Sequence, residues 1–160
     1  MTATTTAAER RPRMKNPALI FPDAMRAVKL LQDCIDKGGV APATLALVHL
    51  RISQINGCAP CLQMGAAQMR HEGESENRMA TVAAWREAPY FDDAERAALD
   101  LAEAVTRLAD RPDPVPDAIW DEAARHYDET GLAALLLEIS ITNIYNRFNV
   151  TTRQVAGSWS

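Results

Sequence analysis

Cys58 and Cys61 form the most reactive pattern in this sequence. They are three residues apart, so within a helical turn their sulfurs occupy neighbouring positions on one face. The pair follows Asn56-Gly57, a step that ends helices, and Pro60 suits the first position of a new helix. We therefore predict that both thiols lie in the first turn of a helix. There the unpaired backbone N–H groups and the positive end of the helix dipole favour a thiolate.

A thiolate attacks peroxides and disulfides, and a second thiol beside it can capture the sulfenic acid that forms, as a disulfide. Two other interpretations of the pair are a zinc site and an inert structural role. Zinc needs about four ligands, and His49, His71 and His126 lack paired ligand spacing. We favour the redox-active interpretation and predict no metal and no organic cofactor, since no phosphate loop or dinucleotide fingerprint is present. Cys34, on the apolar side of its helix, is predicted to be a core residue.

The elements that must position the pair are all helical. Apolar residues recur at three- and four-residue steps throughout, and no segment shows sustained strand-like alternation. Ser75 is predicted to cap one helix, and Asp92 with Glu95 to form the capping box of another. We predict an all-α fold, a single-domain helical bundle of about six to seven helices.

The composition of the chain excludes several classes of function. The 160 residues carry a formal net charge of -4, which argues against non-specific binding to nucleic acid or to an anionic membrane. Three cysteines, an odd number, do not indicate a structural disulfide framework. No apolar run spans a bilayer and no secretory signal is evident, so a cytoplasmic location is expected. We predict a disordered N-terminal tail at 1–14 and a single domain at 15–157.

The stretch 47–61, LVHLRISQINGCAPC, resembles the signature of the alkylhydroperoxidase D and carboxymuconolactone decarboxylase family. The similarity continues at 83–89, AAWREAP, and at 146–150, NRFNV, and covers roughly residues 15 to 157. The resemblance implies an all-α subunit that assembles as a homotrimer or homohexamer. It also implies that Cys61 is the peroxidatic thiol, that Cys58 resolves it, and that a dithiol partner such as a lipoylated protein reduces the disulfide.

The sequence departs from the family pattern at three positions. Ala46 stands where the family has a glutamate, Gly65 where it has a histidine, and Pro60 where it often has His or Tyr. The acid–base groups that would activate the thiol are thus absent from their usual places. His49 and Glu138 are the two possible auxiliary groups.

Each auxiliary candidate also has a simpler interpretation. His49 could be a partly exposed polar residue of the preceding helix. Glu138 interrupts an apolar stretch of the last helix, so it could be buried with a raised pKa, or it could pair with Arg51 or Arg147. We favour the arginine pairing for Glu138 and a network of inter-helix hydrogen bonds for Asn143, Asn146 and Arg147.

The function predicted from these observations is a thiol-dependent alkyl hydroperoxide reductase. The missing relay at positions 46 and 65 leaves a redox-responsive, non-enzymatic scaffold or sensor as an alternative. A carboxymuconolactone decarboxylase-like enzyme is a third interpretation. The C-x-x-C pair argues against it, because that branch of the family does not depend on such a pair.

Overall fold

The computed structural model describes residues 11–158, and in this part of the chain it contains eight α-helices and no β-strand. The helices are α1 Pro17–Ile20, α2 Pro22–Ile35, α3 Pro42–Asn56, α4 Ala59–His71, α5 Glu76–Thr81, α6 Asp93–Thr106, α7 Asp117–His126 and α8 Glu129–Thr152. Short 3-10 turns at Val82–Ala84 and Leu108–Asp110 follow α5 and α6. The all-α prediction is confirmed, and the helix beyond the predicted seven is the single turn α1.

Helices α3 and α8 form the centre of the bundle and pack against each other. Leu47 and Ile52 of α3 and Leu135 and Ile139 of α8 are completely buried. Helices α4 and α6 also pack on α3, while α2 covers α8. None of the helices within residues 11–158 has both the length and the apolar character needed to cross a membrane.

The corner between α3 and α4 decides where the cysteines lie. Gly57 has a φ of 65°, in the left-handed region that favours glycine. Its N–H donates to Gln54 O at 3.3 Å, and the Cys58 N–H donates to Ser53 O at 3.0 Å. This pair of bonds is a Schellman motif. It ends α3 and places Cys58 directly at the start of α4, as the Asn56-Gly57 step predicted.

Both capping predictions are confirmed. Asp92 Oδ1 accepts from the Glu95 backbone N–H at 2.8 Å, and Glu95 Oε2 accepts from the Asp92 N–H at 3.0 Å, which completes the capping box of α6. Ser75 Oγ accepts from the Arg78 N–H at 3.3 Å and caps α5.

The segment before α1 is held against the end of α8. The Arg13 N–H donates to Thr152 O at 2.8 Å, and Gln154 Nε2 donates to Met14 O at 2.9 Å. Of the predicted tail at 1–14, residues 1–10 lie outside the described part of the chain. The boundary between tail and domain therefore stays a prediction.

The prediction that Cys34 belongs to the core is wrong, because its side chain is exposed. The buried residues of α2 are Val28 and Ile35, which are seven positions apart and share one face. Cys34 precedes Ile35 by one position and is therefore turned about 100° away from that face.

Candidate functional site

The two cysteines form a bonded pair in the first turn of α4. Their Sγ atoms are 2.06 Å apart and their Cα atoms 5.3 Å apart. Cys58 is the N-cap of α4, and Cys61 is its third residue. Pro60 occupies the second helical position, one later than predicted, where its missing N–H still leaves no intrahelical bond unmade. Both cysteines are buried, with exposed fractions of 0% and 2%.

Asn149 of α8 contacts both sulfurs. Its Nδ2 donates to Cys61 Sγ at 3.3 Å and lies 3.8 Å from Cys58 Sγ. Its Oδ1 accepts from Asn16 Nδ2 at 2.8 Å. Sequence reasoning did not identify Asn149 as a site residue. The available signal was a buried polar row on α8, in which Thr142, Asn146 and Asn149 recur at four- and three-residue steps.

His49 of α3 contacts the backbone of Cys61 rather than its sulfur. Its Nε2 lies 3.2 Å from the Cys61 carbonyl oxygen, and its Nδ1 lies 3.3 Å from Thr142 Oγ1. Because a carbonyl oxygen can only accept, Nε2 is the protonated nitrogen in this contact. Burial lowers the pKa of His49, and the hydrogen bond to the Cys61 backbone opposes that shift. His49 is thus a partly buried imidazole that prefers the neutral form.

Glu138 completes a chain of polar contacts with His49. Its Oε1 lies 3.1 Å from Thr142 Oγ1 and 3.8 Å from His49 Nδ1. Burial raises the pKa of Glu138 to about 6; the Thr142 hydroxyl opposes the shift and the negative charge of Asp36 adds to it. The carboxyl group therefore titrates near neutrality.

The prediction that Glu138 pairs with an arginine is wrong. Arg51 donates from Nε to Glu103 Oε1 at 2.6 Å instead, and Arg147 is exposed. His49 and Arg51 are two positions apart on α3, so they point to different sides of that helix. His49 faces α8, whereas Arg51 faces α6.

Gly65 explains how the His49 ring fits against α4. A Cβ atom at position 65 would lie 2.9 Å from His49 Cδ2 and 3.5 Å from His49 Nε2. The imidazole therefore fills the volume that a side chain at position 65 would need. The ring of His49 and a side chain at the family's histidine position therefore exclude each other in this packing.

A second polar network joins the end of α3 to α8. Asn56 Nδ2 donates to Asn143 Oδ1 at 3.0 Å and to Asn146 Oδ1 at 2.9 Å, and Asn146 Nδ2 donates to Ser53 Oγ at 3.2 Å. The predicted inter-helix network is confirmed for the two asparagines of α8, while the exposed Arg147 takes no part in these bonds. The network fixes the end of α3, directly before Gly57 and Cys58, relative to α8.

Within residues 11–158, no group of three or more His, Cys, Asp or Glu side chains is arranged to hold a metal ion. What the site offers is two sulfurs, one amide donor and one chain of groups that can carry a proton.

Comparisons with known proteins agree with this architecture. The model of the carboxymuconolactone decarboxylase family matches residues 22–104, which include both cysteines. The uncharacterized protein YdfG of Bacillus subtilis is 32% identical over 139 residues, which are 87% of this chain and 93% of YdfG. The uncharacterized protein YnjA of Escherichia coli is 34% identical over 108 residues, 68% of this chain and 58% of YnjA.

Two solved structures are similar in fold. ATU0492 from Agrobacterium tumefaciens, a protein of unknown function and a candidate antioxidant defence protein AhpD, superimposes with a TM-score of 0.83 at 32% identity and covers 91% of this chain and 98% of its own. The debrominase Bmp8 superimposes with a TM-score of 0.71 at 25% identity, over 86% of this chain and 73% of its own. From the family match and the YdfG relationship, we conclude that this chain belongs to the carboxymuconolactone decarboxylase family.

Proposed function

We propose that this protein is a thiol-dependent alkyl hydroperoxide reductase in which Cys61 attacks the hydroperoxide and Cys58 resolves the product. The observation that carries the proposal is the Cys58–Cys61 pair at bonding distance in the first turn of α4, with an amide donor on Cys61. The similarity to ATU0492, a candidate antioxidant defence protein, supports a role in antioxidant defence.

The proposed reaction has two steps. The Cys61 thiolate attacks the outer oxygen of the hydroperoxide, an S–O bond forms, the O–O bond breaks, and the alcohol leaves after taking a proton. The Cys58 thiol then loses its proton and attacks the sulfenic sulfur of Cys61, so that an S–S bond forms and water leaves. The hydroperoxide gains two electrons and the two thiols lose two, which leaves the disulfide for an external dithiol to reduce.

The chain Glu138–Thr142–His49 is the proposed auxiliary group. With Glu138 protonated, its O–H donates to Thr142, and the Thr142 hydroxyl donates to the neutral His49 at Nδ1. With Glu138 ionised, Thr142 donates to the carboxylate, and a protonated Nδ1 donates to Thr142. Both arrangements satisfy the same contacts, so the chain can hold one proton at either end.

The position of His49 defines the role we assign to it. Its Nε2 contacts the carbonyl oxygen of Cys61, so His49 positions the residue that carries the reacting sulfur. The neutral imidazole and the carboxyl with a pKa of about 6 can take up a proton released in the site; their contact with Cys61 is to its carbonyl oxygen, so we propose that the thiol proton reaches them through water. In this proposal an imidazole from α3 and a carboxyl from α8 replace the family relay missing at Gly65 and Ala46.

The family resemblance also supports proposals about partners. We propose a dithiol reductant, with a lipoylated protein as the first choice, and assembly of the chain as a homotrimer or homohexamer. A pair that must be reduced after each turnover fits a reducing compartment, which supports a cytoplasmic location.

The proposal is tested by stopped-flow oxidation of the reduced protein with cumene hydroperoxide. All variants carry Cys34→Ser, because the exposed Cys34 thiol reacts with oxidants on its own account. We expect a rate about a hundredfold or more above that of free cysteine at the same pH, the lower end of general acid–base catalysis. Cys61→Ser abolishes the reaction, whereas Cys58→Ser still reacts once and accumulates a sulfenic acid that dimedone traps.

A rate no higher than that of free cysteine, or one that survives in Cys61→Ser, contradicts the proposal. A second electrophile tests whether the thiol acts on another class of substrate. We choose 2,3,4-tribromopyrrole, which is bound in a solved structure of a cysteine-to-alanine variant of Bmp8. Loss of bromide from this compound without turnover of hydroperoxide assigns the thiol to a different substrate class.

One observation favours a second candidate, a redox-responsive scaffold. Both sulfurs are buried and contact α8 through Asn149, so reduction of the bond changes the contacts of the central helix. The scaffold predicts a free-cysteine rate together with a change in hydrogen exchange at the end of α8 on reduction.

A further inference from the structure

We propose that Asn149, held in one orientation by Asn16, donates the hydrogen bond that makes Cys61, and not Cys58, the thiolate of the reduced pair. The reaction of this thiolate rests on the proposed function, whereas the selection of one sulfur over the other does not. The family resemblance assigns the attacking role to Cys61, and the two asparagines supply a physical reason for that assignment.

The orientation of the Asn149 amide follows from a chain of contacts that starts at the backbone. The Ala18 N–H can only donate, and it donates to Asn16 Oδ1 at 2.9 Å. The opposite end of the Asn16 side chain is therefore its NH₂ group, which lies 2.8 Å from Asn149 Oδ1. The end of Asn149 that faces the sulfurs must then be its NH₂ group.

The surroundings of this amide make its hydrogen bond effective. Asn149 and Asn16 have exposed fractions of 2% and 4%, so water does not compete for the donor. Burial by itself raises the pKa of a thiol, because the charged thiolate loses its hydration. A donated hydrogen bond acts in the opposite direction, because it stabilises the thiolate more than the thiol.

The two sulfurs share this donor unequally. Nδ2 is 3.3 Å from Cys61 Sγ and 3.8 Å from Cys58 Sγ. Since a charge-assisted hydrogen bond weakens with distance, the amide favours the negative charge on Cys61. Cys58 is left as the protonated thiol, which suits a resolving group that reacts second.

The selection depends on the segment before α1. Asn16 caps α1 with the same oxygen that fixes its orientation. The Arg13 N–H holds this segment to Thr152, close to Asn149 on α8. We infer that this segment, distant from the cysteines in sequence, is part of the thiol site.

The test measures the pKa of each thiol separately from the thiolate absorbance at 240 nm. Cys61 is titrated in Cys34→Ser, Cys58→Ser protein, and Cys58 in Cys34→Ser, Cys61→Ser protein. We expect Asn149→Leu, which removes the donor without adding a charge, to raise the pKa of Cys61 by about one unit and to move that of Cys58 less. The pH dependence of Cys61 alkylation by iodoacetamide shifts by the same amount.

Asn16→Asp is the second variant and leaves Asn149 in place. Both carboxylate oxygens of the new side chain accept, so the Asn149 amide must turn its NH₂ toward position 16 and its oxygen toward the sulfurs. The new carboxylate also adds a negative charge, which raises the pKa of both thiols, so the diagnostic result in this variant is a larger rise for Cys61 than for Cys58. Ser140→Ala is the control, since it removes a hydroxyl of α8 that donates to Leu136 O of the same helix and does not touch the sulfurs, and it leaves the pKa of Cys61 unchanged.

An unchanged Cys61 pKa in Asn149→Leu, or equal shifts of the two cysteines in either variant, overturns the inference. If Asn149→Leu does not fold, Asn149→Ala, which also removes the donor without adding a charge, takes its place. The result is independent of the proposed function. A Cys61 pKa that responds to Asn149 in a protein that does not reduce hydroperoxide preserves the inference and rejects the peroxidase.

Discussion

Glu103 of α6 is a buried carboxylate and Glu138 of α8 is a largely buried one, and their surroundings are opposite. Glu103 accepts hydrogen bonds from Arg51 Nε at 2.6 Å, Trp85 Nε1 at 3.0 Å and Arg86 Nη1 at 2.8 Å. Burial alone would raise the pKa of Glu103, but these donors outweigh it and lower the pKa. Glu138 contacts the hydroxyl of Thr142 and lies near the imidazole of His49, which prefers to be neutral. Burial raises the pKa of Glu138 to about 6.

The comparison shows that burial alone does not give a carboxylate its role. Where guanidinium groups compensate the charge, the carboxylate stays ionised at neutral pH and holds helices together. Where no guanidinium compensates the charge, the pKa of the same side chain rises to about 6. Helix α3 separates the two environments, because Arg51 and His49 point to different sides of it.

The largest effect on stability is expected at Glu103. Glu103→Ala leaves the mostly buried Arg51 without its carboxylate, so we expect the free energy of unfolding to fall by about 3 kcal/mol, the low end for breaking a buried ion pair. Urea denaturation monitored by circular dichroism measures the change. Asp100→Ala is the matched control, because it removes only a partly exposed partner of Arg86 and is expected to cost less than about 1 kcal/mol. Equal losses in the two variants would contradict the structural role of Glu103.

The next effect is a pH dependence of the free energy of unfolding that arises from Glu138. Its pKa is about 6 in the folded protein against an ordinary value of 4.5, so its stabilising contribution is complete below pH 4.5 and is lost as the pH rises through 6. A shift of this size corresponds to about 2 kcal/mol. We expect Glu138→Gln, which cannot ionise, to gain that amount of stability relative to the wild type between pH 4.5 and pH 7.5. Urea denaturation across this range measures the difference.

The imidazole of His49 and the negative charge of Asp36 also act on Glu138. His49 has a lowered pKa, so its contribution acts in the opposite direction and is lost as the pH falls below 6.5. His49 and Asp36 are present in both proteins, so their direct contributions cancel in the comparison. A difference that stays constant with pH shows that a protonated His49 compensates the carboxylate, as arginine does at Glu103.

The helices and the cysteine pair could be predicted from the sequence because they depend on local patterns. The capping box at Asp92 and the stop at Gly57 each involve residues a few positions apart. The two contacts that define the site could not be found in this way. Asn149 reaches Cys61 from the far end of the chain, and its partner Asn16 belongs to a single helical turn with almost no periodic signal.

Position 65 likewise shows a feature that depends on contacts distant in sequence. The missing histidine is visible in the sequence, but the sequence does not show which group occupies the space. The apolar stretch around Glu138 indicates that this residue could be buried, but it does not show whether an arginine or another group is the partner. Only the packing of α3 between α6 and α8 decides that Arg51 contacts Glu103 and that His49 faces Glu138.

The smallest effect on stability, and the sharpest test of the replacement relay, is expected from Gly65→Ala. Alanine stabilises a helix by up to about 1 kcal/mol over glycine, but its Cβ would lie 2.9 Å from His49 Cδ2 and would displace the ring. We expect the two effects to leave the free energy of unfolding within about 1 kcal/mol of the wild type. The rate of oxidation by cumene hydroperoxide should nevertheless fall about tenfold, since the displaced imidazole loses its contacts with Cys61 and Thr142.

Gly73→Ala is an unsuitable control for this substitution, because Gly73 has a φ of 80° and alanine there is strained. Ala66→Ser, the next position of the same helix, changes one side chain on α4 without approaching His49 as closely, and the rate should be retained. If Gly65→Ala keeps the wild-type rate while the ring of His49 has moved, His49 is a packing residue. The chain from Glu138 then only fills the space that the family gives to its relay.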